Sequence, residues 1–333
     1  MSNTVKIVRF HEIGGLEVLQ FDELPLPEPG QNEVRLRVKA IGLNRAEVMF
    51  RNAQYLETPV LPAKNGYEAS GVIEAVGSGV DPSWIGKKVS TVPGFFHLND
   101  HGVYGEVAVV PVAAISEYPA NLSYEEGTSI WMQYLTAYGG LIMLGHLTKG
   151  DFVLITAASS SVGIAAIEIA KAEGATSIAV TRAAAKKADL LKLGADHVIV
   201  TDEEDLVVRV NEITSGRGAR IIFDPIGGKI LDALAQAASK NGIIFEYGAL
   251  APEPTPYPLF TALSKFLTIR AYTLFEVAAN PEEYKKASKY IYDRLAAGKF
   301  KVIIDKTFPF AQIVAAHRYM ESNTQIGKIV LTL

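Results

Sequence analysis

No cysteine occurs in the 333 residues, which excludes disulfides, thiolate metal ligands and a thiol nucleophile. That absence suits a reducing compartment, and a cytoplasmic location is the expectation. Positive charge is not in excess: 32 Lys and Arg stand against 36 Asp and Glu, for a net charge of -4. Neither nucleic acid nor an anionic membrane is therefore an expected partner. The opening "MSNTVKIVRFHEIGG" has no apolar core followed by a cleavage site, so no secretory signal is expected. No G-x-S-x-G elbow occurs, which leaves a serine hydrolase without support. Between Glu126 and Lys149 there is no charged residue, and "IWMQYLTAYGGLIMLGHL" approaches the length of a membrane span. Gln133, Thr136, His146 and three glycines interrupt it, so a buried core helix is expected instead. His97 and His101, four apart in "FFHLNDHG", read as part of a loop, and metal binding is not expected there.

What is present is a regular alternation over residues 152–273. The apolar, β-branched runs "FVLIT", "TSIAVT", "HVIV", "RIIFD", "GIIFEY" and "LTIRAYT" suit strands covered on both faces. Between them lie helical stretches that stop at Gly174, Gly194 and Gly216. Asp and Glu at 202–205 suit a helix N-terminus. Six strands with helical crossovers predict an α/β fold: a doubly wound parallel Rossmann sheet with its ligand crevice at the strand C-termini. The first 120 or so residues differ. Short β-rich runs such as "EVRLRVKAIGL" and "SGVIEAVGSGV", separated by Gly, Pro and Asn, predict a barrel-like domain. After residue 273 come a helix, a short strand near "VIIDKTF", a helix near "AQIVAAHRYMES" and the closing strand "GKIVLTL".

The turn "LITAASSSVGIAA" follows a strand and opens a helix, where a dinucleotide-binding chain carries G-x-G-x-x-G. Ala158, Ser160 and Gly163 fill the three glycine positions. Small residues meet most of the steric demand, Ser159, Ser160 and Ser161 can bond phosphate, and Val162 and Gly163 continue the helix whose N-terminus favours an anion. An NAD site carries an acid about 20 residues on; here no acid lies between Glu173 and Asp189, and Thr181, Arg182, Lys186 and Lys187 stand there. Arg182 suits a 2′-phosphate, which makes NADPH the expected cofactor.

With "AIGLNRAEVMFRNAQY", "GYEASGVIEAVGSGV", "GVYGEVAVVP", "LTAYGGL", "AASSSVG", "LGADHVI", "IIFDPIGG" and "GKIVLTL" in this order, the chain resembles the medium-chain dehydrogenase/reductase superfamily. It is most similar to the zinc-lacking quinone oxidoreductase (zeta-crystallin-like) branch. The resemblance implies a GroES-like catalytic domain of residues 1–123, completed by 274–333, around a Rossmann NADPH-binding domain of 124–273. Zinc-dependent relatives carry Cys where Asn44 stands and His where Tyr67 precedes Glu68, and their third ligand falls near Met132. Asn, Tyr and Met do not make a tetrahedral zinc site. The implied activity is zinc-independent hydride transfer from NADPH to a quinone or α,β-unsaturated carbonyl. Asn44, Tyr55 and Tyr67 form the implied catalytic set, with Thr136 near the nicotinamide and Gly248 bordering the cofactor. Two other readings remain: an enoyl-thioester reductase on the same scaffold, and a non-catalytic NADPH-binding regulatory or structural protein. The resemblance also implies a homodimer or dimer of dimers, because "LTIRAYT" is otherwise a bare sheet edge.

Overall fold

The structure, a computed structural model, describes residues 4–333. Contacts divide them into two compact units, one running to Met132 and including Lys289–Leu333, the other spanning Gln133–Ser288. The first unit holds β1 (Thr4–Phe10), β2 (Leu19–Pro25), β3 (Glu33–Gly42), β4 (Ala63–Lys64), β5 (Glu68–Val76), β6 (Lys88–Thr91), β7 (Val107–Pro111) and β8 (Ile115–Ser116). The second holds β9 (Phe152–Ile155), β10 (Thr176–Thr181), β11 (His197–Val200), β12 (Ala219–Asp224), β13 (Ala238–Glu246) and β14 (Thr268–Ala271). The chain then returns to the first with β15 (Ile304–Pro309) and β16 (Lys328–Thr332).

In the first unit, β15-β16-β3-β5-β6-β8 form one sheet, with β7 also paired to β3, and β2-β1-β4 form a second. Along β3 the side chains of Val34, Leu36 and Val38 are buried and their neighbours less so, the period of two of a sheet with one covered face. The first turn of helix Arg45–Arg51 follows β3 directly, and helix Ile313–Glu321 leads into β16.

The second unit is the expected parallel sheet, in the order β11-β10-β9-β12-β13-β14. All six anticipated strands are present. Leu154, Ile178, Val180, Ile199, Ile222 and Ile244 form its core with the covering helices, so both faces demand apolar residues. Gly174, Gly194 and Gly216 take φ values of 72°, 105° and 78°, the left-handed geometry that ends a helix. Asp205 caps helix Leu206–Thr214 by accepting from Val208 N at 2.9 Å. The uncharged stretch forms helix Trp131–Tyr138 followed by π-helical turns over Gly139–Leu144. No helix among the described residues is long and apolar enough to cross a membrane.

One local expectation is corrected. Leu98–His101 is a single helical turn, not loop, with His97 at its N-cap. A distant carboxylate makes it so: Glu57 accepts from Leu98 N and Asn99 N, each at 3.0 Å. That partner lies some 40 residues away in the chain and is invisible to local pattern.

Candidate active site

Asn44 starts helix Arg45–Arg51, and Glu47, three residues on, reaches back to accept from Asn44 N at 2.6 Å. Glu47 is completely buried. Three further donors reach it: Asn44 Nδ2 at 3.1 Å, Tyr67 N at 3.0 Å and the Tyr104 hydroxyl at 2.6 Å. Burial pushes the Glu47 pKa up, and these donors to its charged form draw it back.

The chain of contacts continues inward. His317 Nε2 lies 3.1 Å from the Tyr104 hydroxyl and its Nδ1 3.3 Å from Arg51 Nη1. Guanidinium only donates, so Nδ1 accepts; the Tyr104 proton goes to Glu47, so Nε2 carries the hydrogen. Burial, then the charges of Arg51 and Arg45, hold His317 down to about 3 from its ordinary 6.5. Arg51 ends the chain on Gly14 O at 3.0 Å and Glu321 at 2.9 Å.

On its other side Asn44 meets a second buried charge pair. Lys328 Nζ donates to Asn44 Oδ1 at 2.6 Å and pairs with Glu68 at 2.5 Å, both ions essentially without solvent exposure. Asn44 Nδ2 also reaches Glu68 at 3.2 Å and Gly42 O at 3.3 Å, and Glu68 accepts from Met132 N at 2.8 Å. The Asn44 amide is thus fully committed to partners inside its own unit. Among the described residues no three His, Asp or Glu side chains are grouped to hold a metal ion.

Tyr67 is buried and stacks edge-on between Tyr55, at 6.2 Å between ring centres, and Phe96 at 5.9 Å. Its backbone is fixed by Glu47 and by the Thr91 hydroxyl, which donates to Tyr67 O at 2.9 Å. Tyr55 is half-buried on the loop after helix Arg45–Arg51. Glu57 and Asn99 pin that loop's far end, with Val60 N donating to Asn99 Oδ1 at 2.7 Å. The two hydroxyls are hydrogen-bonded to each other. Burial pushes Tyr55 up to about 12 and Tyr67 higher still, so both stay protonated at neutral pH.

In the second unit the turn after β9 shows which glycine of the pattern is indispensable. A Cβ on Gly163 would lie 2.6 Å from Ala158 O and 2.7 Å from Ala158 Cα, rigid backbone that cannot move aside. Ser160 has ordinary extended dihedrals and caps helix Ser161–Ala172 by accepting from Gly163 N at 3.0 Å. Ala158 is buried, and Ala157 takes the left-handed φ of 45° that a glycine supplies elsewhere. Ser159 receives Lys186 Nζ at 3.0 Å. Ser161 and Val162 are half-buried in the first helical turn. Thr181 ends β10, buried, and Arg182 follows it exposed. Thr136 is buried on helix Trp131–Tyr138. A Cβ on Gly248 would meet Pro225 O at 2.7 Å, so this backbone too lies against its neighbour. The hydroxyl of Tyr247 is buried beside Ser160 without a well-formed hydrogen bond. A glycine cradle, an unsatisfied hydroxyl and an exposed arginine past the second strand together fit a dinucleotide phosphate group.

The sequence reading passed over Glu47, Arg51, Tyr104, His317 and Lys328. Only a charged residue in an otherwise apolar run, such as Glu47 before "VMF", signals such a role.

Two measurements test the buried chain. Tyr104→Phe removes one of the four donors to Glu47 and leaves the His317 N–H without its acceptor, and is expected to cost about 1–3 kcal/mol in urea unfolding. Because His317 is held below its unfolded value, its contribution is present above about pH 6.5 and is lost as pH falls toward 3. His317→Gln is expected to flatten the loss of stability between pH 7 and pH 4, by up to about 1.4 kcal/mol per pH unit; an unchanged slope contradicts the neutral buried imidazole.

Comparison with known proteins agrees with this geometry. Residues 30–120 match the alcohol dehydrogenase GroES-like domain and 193–331 the zinc-binding dehydrogenase family. Quinone oxidoreductase 1 of Escherichia coli (strain K12) is 30% identical over 327 residues, covering 97% of this chain and 98% of that protein. A 2-haloacrylate reductase of Burkholderia sp is 30% identical over 331 residues, 96% of this chain and 97% of its own. The crystal structure of Escherichia coli quinone oxidoreductase complexed with NADPH superposes with a TM-score of 0.89 at 29% identity, over 98% of this chain and 100% of that one. The chain belongs to the medium-chain dehydrogenase/reductase superfamily, in its quinone oxidoreductase branch.

Proposed function

We propose that the protein is an NADPH-dependent oxidoreductase that reduces a quinone or an α,β-unsaturated carbonyl without zinc. The carrying observation is the close pair of protonated hydroxyls of Tyr55 and Tyr67, with Tyr67 buried and Tyr55 partly exposed. Bound NADPH supplies a hydride, and the chain's own task is to hold it and to manage the charge and proton on the substrate oxygen. Tyr67 is buried while Tyr55 keeps partial exposure, so the Tyr55 proton is the one within reach of an oxygen that becomes enolate-like. Once Tyr55 has donated, Tyr67 steadies the resulting anion. Asn44 acts as a positioning residue: its amide joins Glu47 to Lys328 and Glu68. No zinc takes part in this reading, because Asn44, Tyr67 and Met132 stand where the resemblance places zinc ligands, and they do not make a tetrahedral site. Ser159, Ser160, Ser161, Val162 and Gly163 receive the pyrophosphate. Thr181, Arg182 and Lys186 would receive the 2′-phosphate side, Thr136 would lie near the nicotinamide, and Gly248 would border the cofactor.

The same chemistry reads an enoyl thioester, and turnover against quinones, small enones and crotonyl thioesters separates the substrates; no turnover on any of them would favour a binding role. Tyr55→Phe removes one hydroxyl and is expected to lower enone turnover by about 10²–10⁴-fold with NADPH binding intact. Turnover within about threefold of wild type would instead move the donor role to Tyr67.

Arg182 carries the cofactor preference. NADPH is expected to bind tighter than NADH by about one to two orders of magnitude, as charge-assisted hydrogen bonds allow. Arg182→Asp should flatten or reverse that order, and equal wild-type affinities would defeat the assignment.

The protein is further proposed to be a homodimer or dimer of dimers. β14 pairs on one side only, with β13. Beside it, helix Leu259–Lys265 and its cap present Leu259, Phe260, Leu263 and Phe266 to solvent, Phe260 with 84% of its surface exposed. A second copy of the chain would cover this edge. Light scattering at micromolar concentration should return at least twice the monomer mass of 36.0 kDa; a monomer contradicts the proposal.

A further inference from the structure

Asp224 and Glu246 end the parallel neighbours β12 and β13 in direct register. Their carboxyl groups are in hydrogen-bonding contact. Asp224 is fully buried and well supplied with donors: the Thr156 hydroxyl, Ile226 N, and Gly227 N at 2.7 Å. Glu246 is not. Its Oε1 is buried, and no N–H or hydroxyl reaches it. Two ionised carboxylates here would repel across a short gap with no cation between them. The groups around the pair are Thr156 just after β9, Tyr247 beside Glu246, Thr255 against Gly227, and Glu253 against Gly228. On the adjoining β14, Arg270 is engaged by Glu276 at 2.6 Å, and just beyond its end the Tyr272 hydroxyl donates to Leu135 O at 3.2 Å. One proton shared between the carboxyls removes the repulsion.

This pair is wired to the phosphate turn. Thr156, which donates to Asp224, immediately precedes Ala157–Ser161, and the Tyr247 hydroxyl lies beside Ser160. It also closes two loops on each other. Tyr247 N donates to Asp224 O at 2.9 Å, Leu250 N to Pro225 O at 3.0 Å and Ala251 N to Ile226 O at 2.9 Å. We propose that the Asp224–Glu246 pair is a proton-operated latch on the cofactor crevice: with one proton shared the crevice is set to bind NADPH, and release of that proton weakens binding. The inference rests on the reading of this crevice as an NADPH site. Loss of the proton adds a negative charge beside the seat of an anionic cofactor and pushes apart the strand ends that carry its loops. Burial and the charge of Asp224 hold Glu246 up to about 8, which puts the release in the mildly alkaline range.

The test is NADPH affinity by fluorescence titration from about pH 7 to about pH 9.5, on the wild type and on Glu246→Gln, whose amide donates to Asp224 at every pH. Above pH 8 the wild type is expected to weaken by up to about tenfold per pH unit, the limit for one linked proton, while the variant stays flat. A second readout needs no cofactor. A carboxyl raised from 4.5 to about 8 stabilises the fold fully below 4.5 and loses that contribution as pH rises through about 8. The unliganded wild type should therefore lose stability relative to Glu246→Gln between about pH 5 and pH 8. Parallel affinity profiles in the two proteins overturn the latch. A protein that binds no NADPH at pH 7, with the stability difference intact, overturns the cofactor reading and the latch's role together.

Discussion

Glu47 has lost all contact with water, and a buried carboxylate persists only where donors replace the hydration it gives up. Four donors do so here, from Asn44 twice, Tyr67 and Tyr104. Each is also part of something else. Asn44 begins a helix and meets Lys328; Tyr67 carries the hydroxyl that bonds Tyr55; Tyr104 passes the chain to His317 and Arg51. The contacts join residues as far apart in sequence as Asn44 and Lys328, so the closing strand must be in place before the site's floor is complete. Removing one member takes a partner from each buried group it touches, so the contributions of such a network do not add independently.

The same arrangement bears on the chemistry. In a zinc enzyme of this superfamily the metal offers positive charge to the substrate oxygen. Here the positive charge bonded to Asn44 is the ammonium of Lys328, already paired with Glu68. It orders the site rather than polarising a substrate. In the proposed reading, two tyrosines held protonated by burial are the groups able to supply hydrogen to an oxygen, and the partial exposure of Tyr55 distinguishes it from the buried Tyr67. Conjugated carbonyls and quinones, the proposed substrates, need only hydride and a proton.

The nucleotide unit was largely legible in the sequence. Strands buried on both faces, such as "FVLIT" and "RIIFD", announce themselves as apolar runs, and Gly174, Gly194 and Gly216 mark helix ends through a backbone requirement that few other residues meet. Gly163 survives in its motif for the same local reason, the space behind it being filled by Ala158. The polar floor of the first unit was not legible. Glu47, Tyr104 and His317 matter through contacts that span dozens to hundreds of residues, and nothing near them in the chain reports those partners. Glu246 was silent for the same reason: its neighbour Asp224 sits on another strand. Asn44 was visible as a polar residue in the right motif, but only the structure shows its amide turned inward to Glu68 and Lys328.

A buried hydrogen-bond network, not a metal, therefore sets the reactive tyrosines in this account. The most direct measurement is elemental analysis of a preparation whose NADPH-dependent turnover is followed on the same sample. Full turnover with far less than one zinc per chain is the result the account predicts. Turnover that tracks bound zinc, lost on its removal and restored by one equivalent, would contradict it.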